Sequence, residues 1–212
     1  MISLIHPSRG RPHKAYDTAL EWLTMAGTPV EYIISLDIDD PALKSYLKKF
    51  MTKRQVIAEN KSVVEATNNA AKVATGDILL YLSDDFKCFE NWGRVIESEF
   101  HWYRDQPTLL KVDDCLQTFD KEIVTIPIMN RALYETLGYF WHPGYKSMFV
   151  DEHLYHRAKK LGALQLAPHI QFEHCHVSVG KSPDDETYRR SAAHWNQGKQ
   201  LFAQHKAAGF IE

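Results

Sequence analysis

Short apolar runs alternate along the first half of the chain with stretches whose apolar positions recur every three or four residues. That alternation predicts a parallel sheet covered by helices. Ile2–His6 reads as the first strand. His13–Ala26 reads as a helix with Ala15, Ala19, Leu20 and Leu23 on one face and Gly27 just past its end. Tyr32–Leu36 is a second strand, Pro41 is placed to open a short helix, and Gln55–Ala58 is a third strand. Ser62-Val63-Val64-Glu65 has the form of a capping box and starts a helix that runs to Ala74 and stops at Gly76. Ile78–Leu82 is continuously apolar, as strands buried on both faces of a parallel sheet are.

The second half is less regular. Asn91–Arg104 is expected to be helical, Leu109–Val112 and Ile123–Ile126 to be strands, and Arg131–Leu137 to be a short helix. An aromatic loop, Tyr139–Tyr145, precedes a helix from Asp151 to Leu161. Ile170–Val177 is strand-like, and Glu186–Ala208 reads as one long polar helix. No repeat, low-complexity tract or linker divides the chain, so a single domain spanning 1–212 is expected.

Three polar loops follow successive strands: Pro7–Arg11, Asp37–Pro41 and Ser83–Phe86. In a doubly wound sheet they share the carboxyl edge, where ligands bind. Composition narrows the classes that could use such an edge. The 212 residues are 44% hydrophobic and 25% charged with a formal net charge of −2, as in an ordinary globular protein. No apolar run approaches the roughly 20 residues of a bilayer span, and no transmembrane segment is expected. The N-terminal residues do not have the order of a secretory signal. Three cysteines, Cys88, Cys115 and Cys175, give no disulfide framework. A cytoplasmic location follows as the expectation.

Asp84 and Asp85 end the apolar strand. Adjacent carboxylates there suit a divalent cation that shares a substrate's phosphates, or simply a solvated turn. On an extended strand Phe172, His174 and His176 share one face, so the two imidazoles could ligate a metal, donate to a phosphate, or be ordinary strand histidines. A His-Cys-His zinc site is disfavoured, because Cys175 points the other way. Asp151-Glu152 begins a helix after the aromatic loop. Either acid is a helix cap, or a general base beside an acceptor pocket walled by Trp141, His142 and Tyr145.

The block Asn60-Lys61-Ser62, Ala66, Asn68-Asn69, Ala70, Ala74, Gly76-Asp77 and Leu82-Ser83-Asp84-Asp85 resembles the nucleotide-sugar-binding half of family 2 glycosyltransferases. The resemblance implies a GT-A fold, with a mostly parallel central sheet flanked by helices. Residues 1–90 would form the donor half, 91–180 the acceptor and catalytic half, and 181–212 a helical tail. It implies Asp85 as metal ligand, with Ser83 replacing the family's first acid, and Asp84 near the ribose. Pro7, Ser8 and Arg9 match the loop that embraces the nucleobase, and Asp37, with Asp39, matches the acid that reads uracil. Asn60 and Asn68 fall in the donor-binding block. Phe149-Val150-Asp151-Glu152-His153-Leu154 resembles the family's ED motif, with Val150 in place of an acid, Asp151 as the base and Glu152 at the acceptor. His174 or His176 completes a metal-diphosphate site, with Lys181 and Tyr188 in a closing loop.

The implied activity is inverting transfer from a nucleotide-sugar, in the first instance a UDP-sugar, to an acceptor hydroxyl with Mn²⁺ or Mg²⁺. The acceptor would be a saccharide or a lipid-linked molecule. Two alternatives stand beside it. One is a phage-type transferase acting on hydroxylated DNA bases, which needs a basic face near Lys48, Lys49, Lys53 and Arg54, or near Arg189 and Arg190. The other is an inactive nucleotide-sugar-binding module, with Ser83 and Val150 as its marks. A metal phosphoesterase fits less well, since one acid pair and one histidine pair are sparse for two metals.

Overall fold

The computed structural model describes residues 1–103, 106–116 and 118–211. The first half alternates β1 (Ile2–Ser8), α1 (Pro12–Met25), β2 (Val30–Asp37), α2 (Leu43–Lys49), β3 (Arg54–Ala58), α3 (Val63–Val73) and β4 (Ile78–Tyr81). After a short β5 (Phe86–Lys87) come α4 (Trp92–His101), β6 (Leu109–Asp113), β7 (Pro127–Asn130) and α5 (Arg131–Leu137). The chain ends through α6 (Val150–Lys160), β8 (Leu164–Gln171), β9 (Glu173–His174), α7 (Glu186–Ala192) and α8 (Trp195–Ala207).

Seven strands form one sheet in the order β3-β2-β1-β4-β7-β6-β8, and β5 pairs with β9 in a two-stranded ribbon. The pairs β1–β2, β2–β3, β1–β4 and β6–β8 are parallel, and β7 runs antiparallel to both its neighbours. The sheet is therefore mostly parallel, as the first-half pattern predicts. Successive strand residues serve opposite cores. Leu4, Ile34 and Leu80 pack beneath α1 and α4, while Ile5, Ile33 and Leu79 pack beneath α3 and α6.

Local chemistry sets the helix ends. Pro12 opens α1, needing no intrahelical partner there. Ser62 Oγ accepts from Glu65 N–H at 3.2 Å, and Glu65 Oε2 accepts from Lys61 N–H at 2.9 Å, so α3 does begin with a reciprocal cap. Gly76 turns α3 into β4 so close to β1 that a Cβ there would lie 2.5 Å from Ser3 Oγ.

Several sequence expectations are corrected. On α1, Leu20 is 54% exposed, and the buried face is Ala15, Thr18, Ala19 and Trp22. The strand expected at Ile123–Ile126 starts instead at Pro127, which pairs with Lys111 as the first residue of β7. That is a position where a missing N–H is tolerated. Leu164–Gln171 is a strand although it holds Pro168, because β8 is an edge strand and its register breaks between Val112 and Asp113 of β6. Ile170–Val177 is not one strand, since the chain turns between β8 and β9 and again at Val177–Val179. The expected terminal helix is two, interrupted at 193–194. The expected end of the fourth helix at Arg104 lies outside the described residues. Among the described residues, no helix is long and apolar enough to cross a membrane.

Candidate functional site

The carboxyl ends of β1, β2 and β4 open onto a cavity of about 550 Å³, closed on the far side by the start of α6 and by α7. A volume of that order holds a small-molecule substrate. Pro7, Ser8, Arg9, Asp37, Asp84, Asp85, Trp141, Asp151, Glu152, His174 and His176 all line it. Residues up to 169 apart in sequence, from Pro7 to His176, thus meet around one cavity.

Asp85 sits at the centre of a polar cluster. Its Oδ1 accepts from Ser83 Oγ at 2.6 Å, and its Oδ2 accepts from the Tyr188 hydroxyl at 2.6 Å and lies 3.4 Å from His174 Nε2. Burial opposes the charge, but His174, Ser83 and Tyr188 outweigh it and hold the Asp85 carboxyl well below the usual range. His174 is fixed edge-on to Phe86 at 4.8 Å, and its ring lies 4.9 Å from that of His176. His176 Nδ1 lies 2.8 Å from Ser178 Oγ, and its ring meets Tyr188 at 5.2 Å.

Among the described residues, no group of three or more His, Cys, Asp or Glu is arranged to hold a metal by itself. Asp85 with His174 is a smaller donor set, an ionised carboxylate beside an imidazole whose Nδ1 is buried and has no hydrogen-bond partner. That pair fits a cation such as Mn²⁺ or Mg²⁺ that takes its other ligands from a diphosphate and water.

Asp84 faces the other way. His6 Nε2 lies 2.9 Å from its Oδ1, Ser8 Oγ donates to its Oδ2 at 3.0 Å, and Arg11 stands 3.9 Å from Oδ2. Tyr32 holds His6 Nδ1 at 2.8 Å, and Tyr46 holds Ser8 at 2.7 Å. This buried chain of hydrogen bonds satisfies Asp84 and fixes the backbone that presents Asp85.

At the β2 end, Arg9 donates to Asp37 Oδ2 at 2.9 Å and to Asp39 at 2.5 and 3.2 Å. Asn60 Nδ2 donates to Asp37 Oδ1 at 2.9 Å, so it supports Asp37 from behind. Asp39 is on the exposed rim and, like Asn60, does not line the cavity. Asn68 is not at the cavity either. Its Oδ1 accepts from the N–H groups of Phe140 and Trp141, and its Nδ2 donates to Trp141 O at 2.7 Å. It ties the aromatic loop to α3.

Of that loop, only Trp141 reaches the cavity. His142 and Tyr145 are not brought to it: Tyr145 is fully buried and, with His142, packs against His153 and His205 behind α6. Apolar burial of a loop aromatic outweighed exposure to a pocket. Asp151 and Glu152 occupy the first turn of α6. Burial pushes the Asp151 carboxyl up to about 6, against backbone N–H groups and the nearby His174, which lower it. Burial and then the charge of Asp151 push Glu152 up to about 7.

The sequence pattern gave no role to His6 or Arg11. His6-x-Ser8 inside a buried strand was the signal available for the first. Arg11 forks onto Asp185 at 2.6 and 2.7 Å and lies 4.4 Å above the Tyr188 ring. With Thr187 Oγ1 donating to Arg9 O at 3.1 Å, these contacts clamp α7 across the strand ends.

The sequence matches no protein-family model and no curated protein. Solved structures do match. S. aureus TarS 1–349 in complex with UDP-GlcNAc has a TM-score of 0.63 at 14% identity, covering 89% of this chain and 64% of that one. The UDP complex of the same fragment has a TM-score of 0.63 at 13% identity, covering 96% and 71%. The mannosyltransferase PcManGT from Pyrobaculum calidifontis, with GDP-Man and Mn²⁺, has a TM-score of 0.63 at 13% identity, covering 91% and 61%. At such identities the likeness shows the fold: a helix-flanked, mostly parallel sheet shared with these proteins.

Proposed function

We propose that the protein is a GT-A glycosyltransferase of the family 2 kind, inverting and dependent on a divalent cation, that takes its sugar from a nucleotide-sugar. One observation carries this: a single cavity holds an ionised Asp85 beside His174 and, facing them, the raised carboxyls of Asp151 and Glu152. Carboxylates driven apart in this way take different chemical roles. The complexes of the fold neighbours with UDP, UDP-GlcNAc and GDP-Man support a nucleotide-sugar donor.

Asp85 and His174 would hold Mn²⁺ or Mg²⁺, which when bound neutralises charge on the donor's diphosphate. Arg9 and Asp37 grip the base, and Asp37 retains lone pairs for a uracil imide N–H beyond those used by Arg9 and Asn60. Asp151 accepts the acceptor hydroxyl's proton as that oxygen bonds to the anomeric carbon. The bond from that carbon to the diphosphate oxygen breaks on the opposite face, so configuration inverts. Ser83 sustains the site in place of an acid, since its hydroxyl orients Asp85.

The test is release of nucleoside diphosphate from UDP- and GDP-sugars with Mn²⁺, comparing wild type with Asp85→Ala. Turnover abolished in the variant is the expected result. Wild-type protein that binds neither nucleotide would overturn the proposal.

A further inference from the structure

The cavity carries more positive charge than its acids engage. Arg9 is paired with Asp37 and Asp39, and Arg11 with Asp185. Lys61, Lys121, Lys146 and Arg190 also line the cavity, and none of them forms an ion pair among the described residues; Lys61 adjoins Asn60 at the β2 end, and Arg190 acts on Asp39 there.

Lys121 and Lys146 come from the two stretches that lead to Asp151, the first by a backbone contact and the second along the chain. Lys121 belongs to the stretch that Val124 N–H joins to Asp151 O at 3.4 Å. Lys146 opens the stretch leading into α6. Ser147 Oγ, next along, donates to Ser191 O at 2.9 Å, and Gly198 brings α8 against the Met148 carbonyl.

The Lys121 position is built. Lys111, only 3% exposed, directs its Nζ onto the Lys121 carbonyl and lies 5.3 Å from the Phe119 ring and 5.0 Å from the Tyr155 ring. Lys121 N–H donates to Thr118 O at 2.8 Å, and Thr118 Oγ1 to Asp114 Oδ2 at 2.6 Å. Burying an ammonium is unfavourable, and here it fixes the backbone of a second lysine at the cavity wall.

We propose that Lys121 and Lys146 bind a phosphate on the acceptor, beside the hydroxyl that Asp151 deprotonates. The acceptor is then a phosphorylated polyol or sugar. This rests on the glycosyltransferase reading and deepens it. Two lysines on a concave wall match one phosphate, whereas a duplex-binding face engages on the order of six to ten.

Full-length protein loaded with Mg²⁺ and UDP or GDP, whichever binds, is titrated with methyl phosphate and followed by its ³¹P resonance. Saturable binding is expected, weakened at least about fivefold in Lys121→Gln/Lys146→Gln, with nucleotide affinity by calorimetry equal in both. Added salt should weaken it further. Equal methyl phosphate binding by the double variant overturns the proposal, as does none by loaded wild type. With matched acceptors that differ only by a phosphate, faster transfer to the neutral member also overturns it. Faster transfer to a 5-hydroxymethylcytosine duplex than to any phosphorylated polyol assigns the lysines to nucleic acid instead, and the proposal fails. Wild type that binds neither UDP nor GDP is a separate failure, that of the glycosyltransferase reading.

Discussion

Asp151 and Glu152 show how a residue can serve chemistry at the expense of stability. Both carboxyls lie above their ordinary values in the fold, at about 6 and about 7. Their stabilising contribution is therefore complete below the unfolded values near pH 4 and is lost as pH rises through 6 to 7. Asp151→Asn should accordingly raise the melting temperature at pH 8 by about 3 °C, for a gain of about 1 kcal/mol, and leave it unchanged at pH 4. The same substitution should lower kcat by at least about a hundredfold while nucleotide affinity stays normal. Unchanged transfer by Asp151→Asn with a dead Glu152→Gln would move the base to Glu152. In wild type, kcat/KM should climb between pH 6 and 7 as the coupled pair loses its protons, and a flat profile would count against either acid as base. At the other end of the cavity, Asp37→Ala should weaken UDP binding by about tenfold and reduce discrimination between uridine and guanosine diphosphates, read by calorimetry.

At the scale of elements, α7 is held by few residues, all polar. Asp185 caps it by accepting from Thr187 and Tyr188 N–H, and the same carboxylate takes the Arg11 fork. No residue of α7 is buried. Asp185→Ala removes cap and fork together, a loss of about 1–2 kcal/mol confined to this element. Amide exchange over 186–192 should quicken while that of β1 and β4 stays as before; unchanged exchange would show that α7 is held otherwise. The capping box of α3 and the aliphatic runs of β1, β2 and β4 were legible in the sequence, because their signals are local. The breaks at 193–194 and between β8 and β9 were not, since polar composition continues through both.

For the whole molecule, stability lies in the two cores beside the sheet. Trp22 is fully buried, stacks on Phe172 at 4.9 Å, donates from Nε1 to the Phe86 carbonyl at 3.2 Å, and accepts at its own carbonyl from Trp92 Nε1 at 2.8 Å. Trp22→Ala should cost about 3–5 kcal/mol, measured by denaturant unfolding. Because Trp22 supports Phe86 and hence the turn carrying Asp85, the variant's metal-dependent nucleotide binding should weaken as well.

The sequence by itself determined the layered α/β architecture, because a period of two in strands and three to four in helices records which faces are buried. It also determined where the chemistry gathers: loops after parallel strands must share one edge, which placed Arg9, Asp37 and Asp85 together in advance. Only the tertiary structure decided the partners. Asp84 and Asp85 are neighbours in the chain, yet one turns to His6 and Ser8 while the other faces Tyr188 and His174. Tyr145 and His142 went to a core behind α6, and Lys121 and Lys146 came to the cavity from separate loops. These outcomes depend on contacts between residues far apart in sequence. No local propensity encodes such contacts, because they exist only once the surrounding elements have packed.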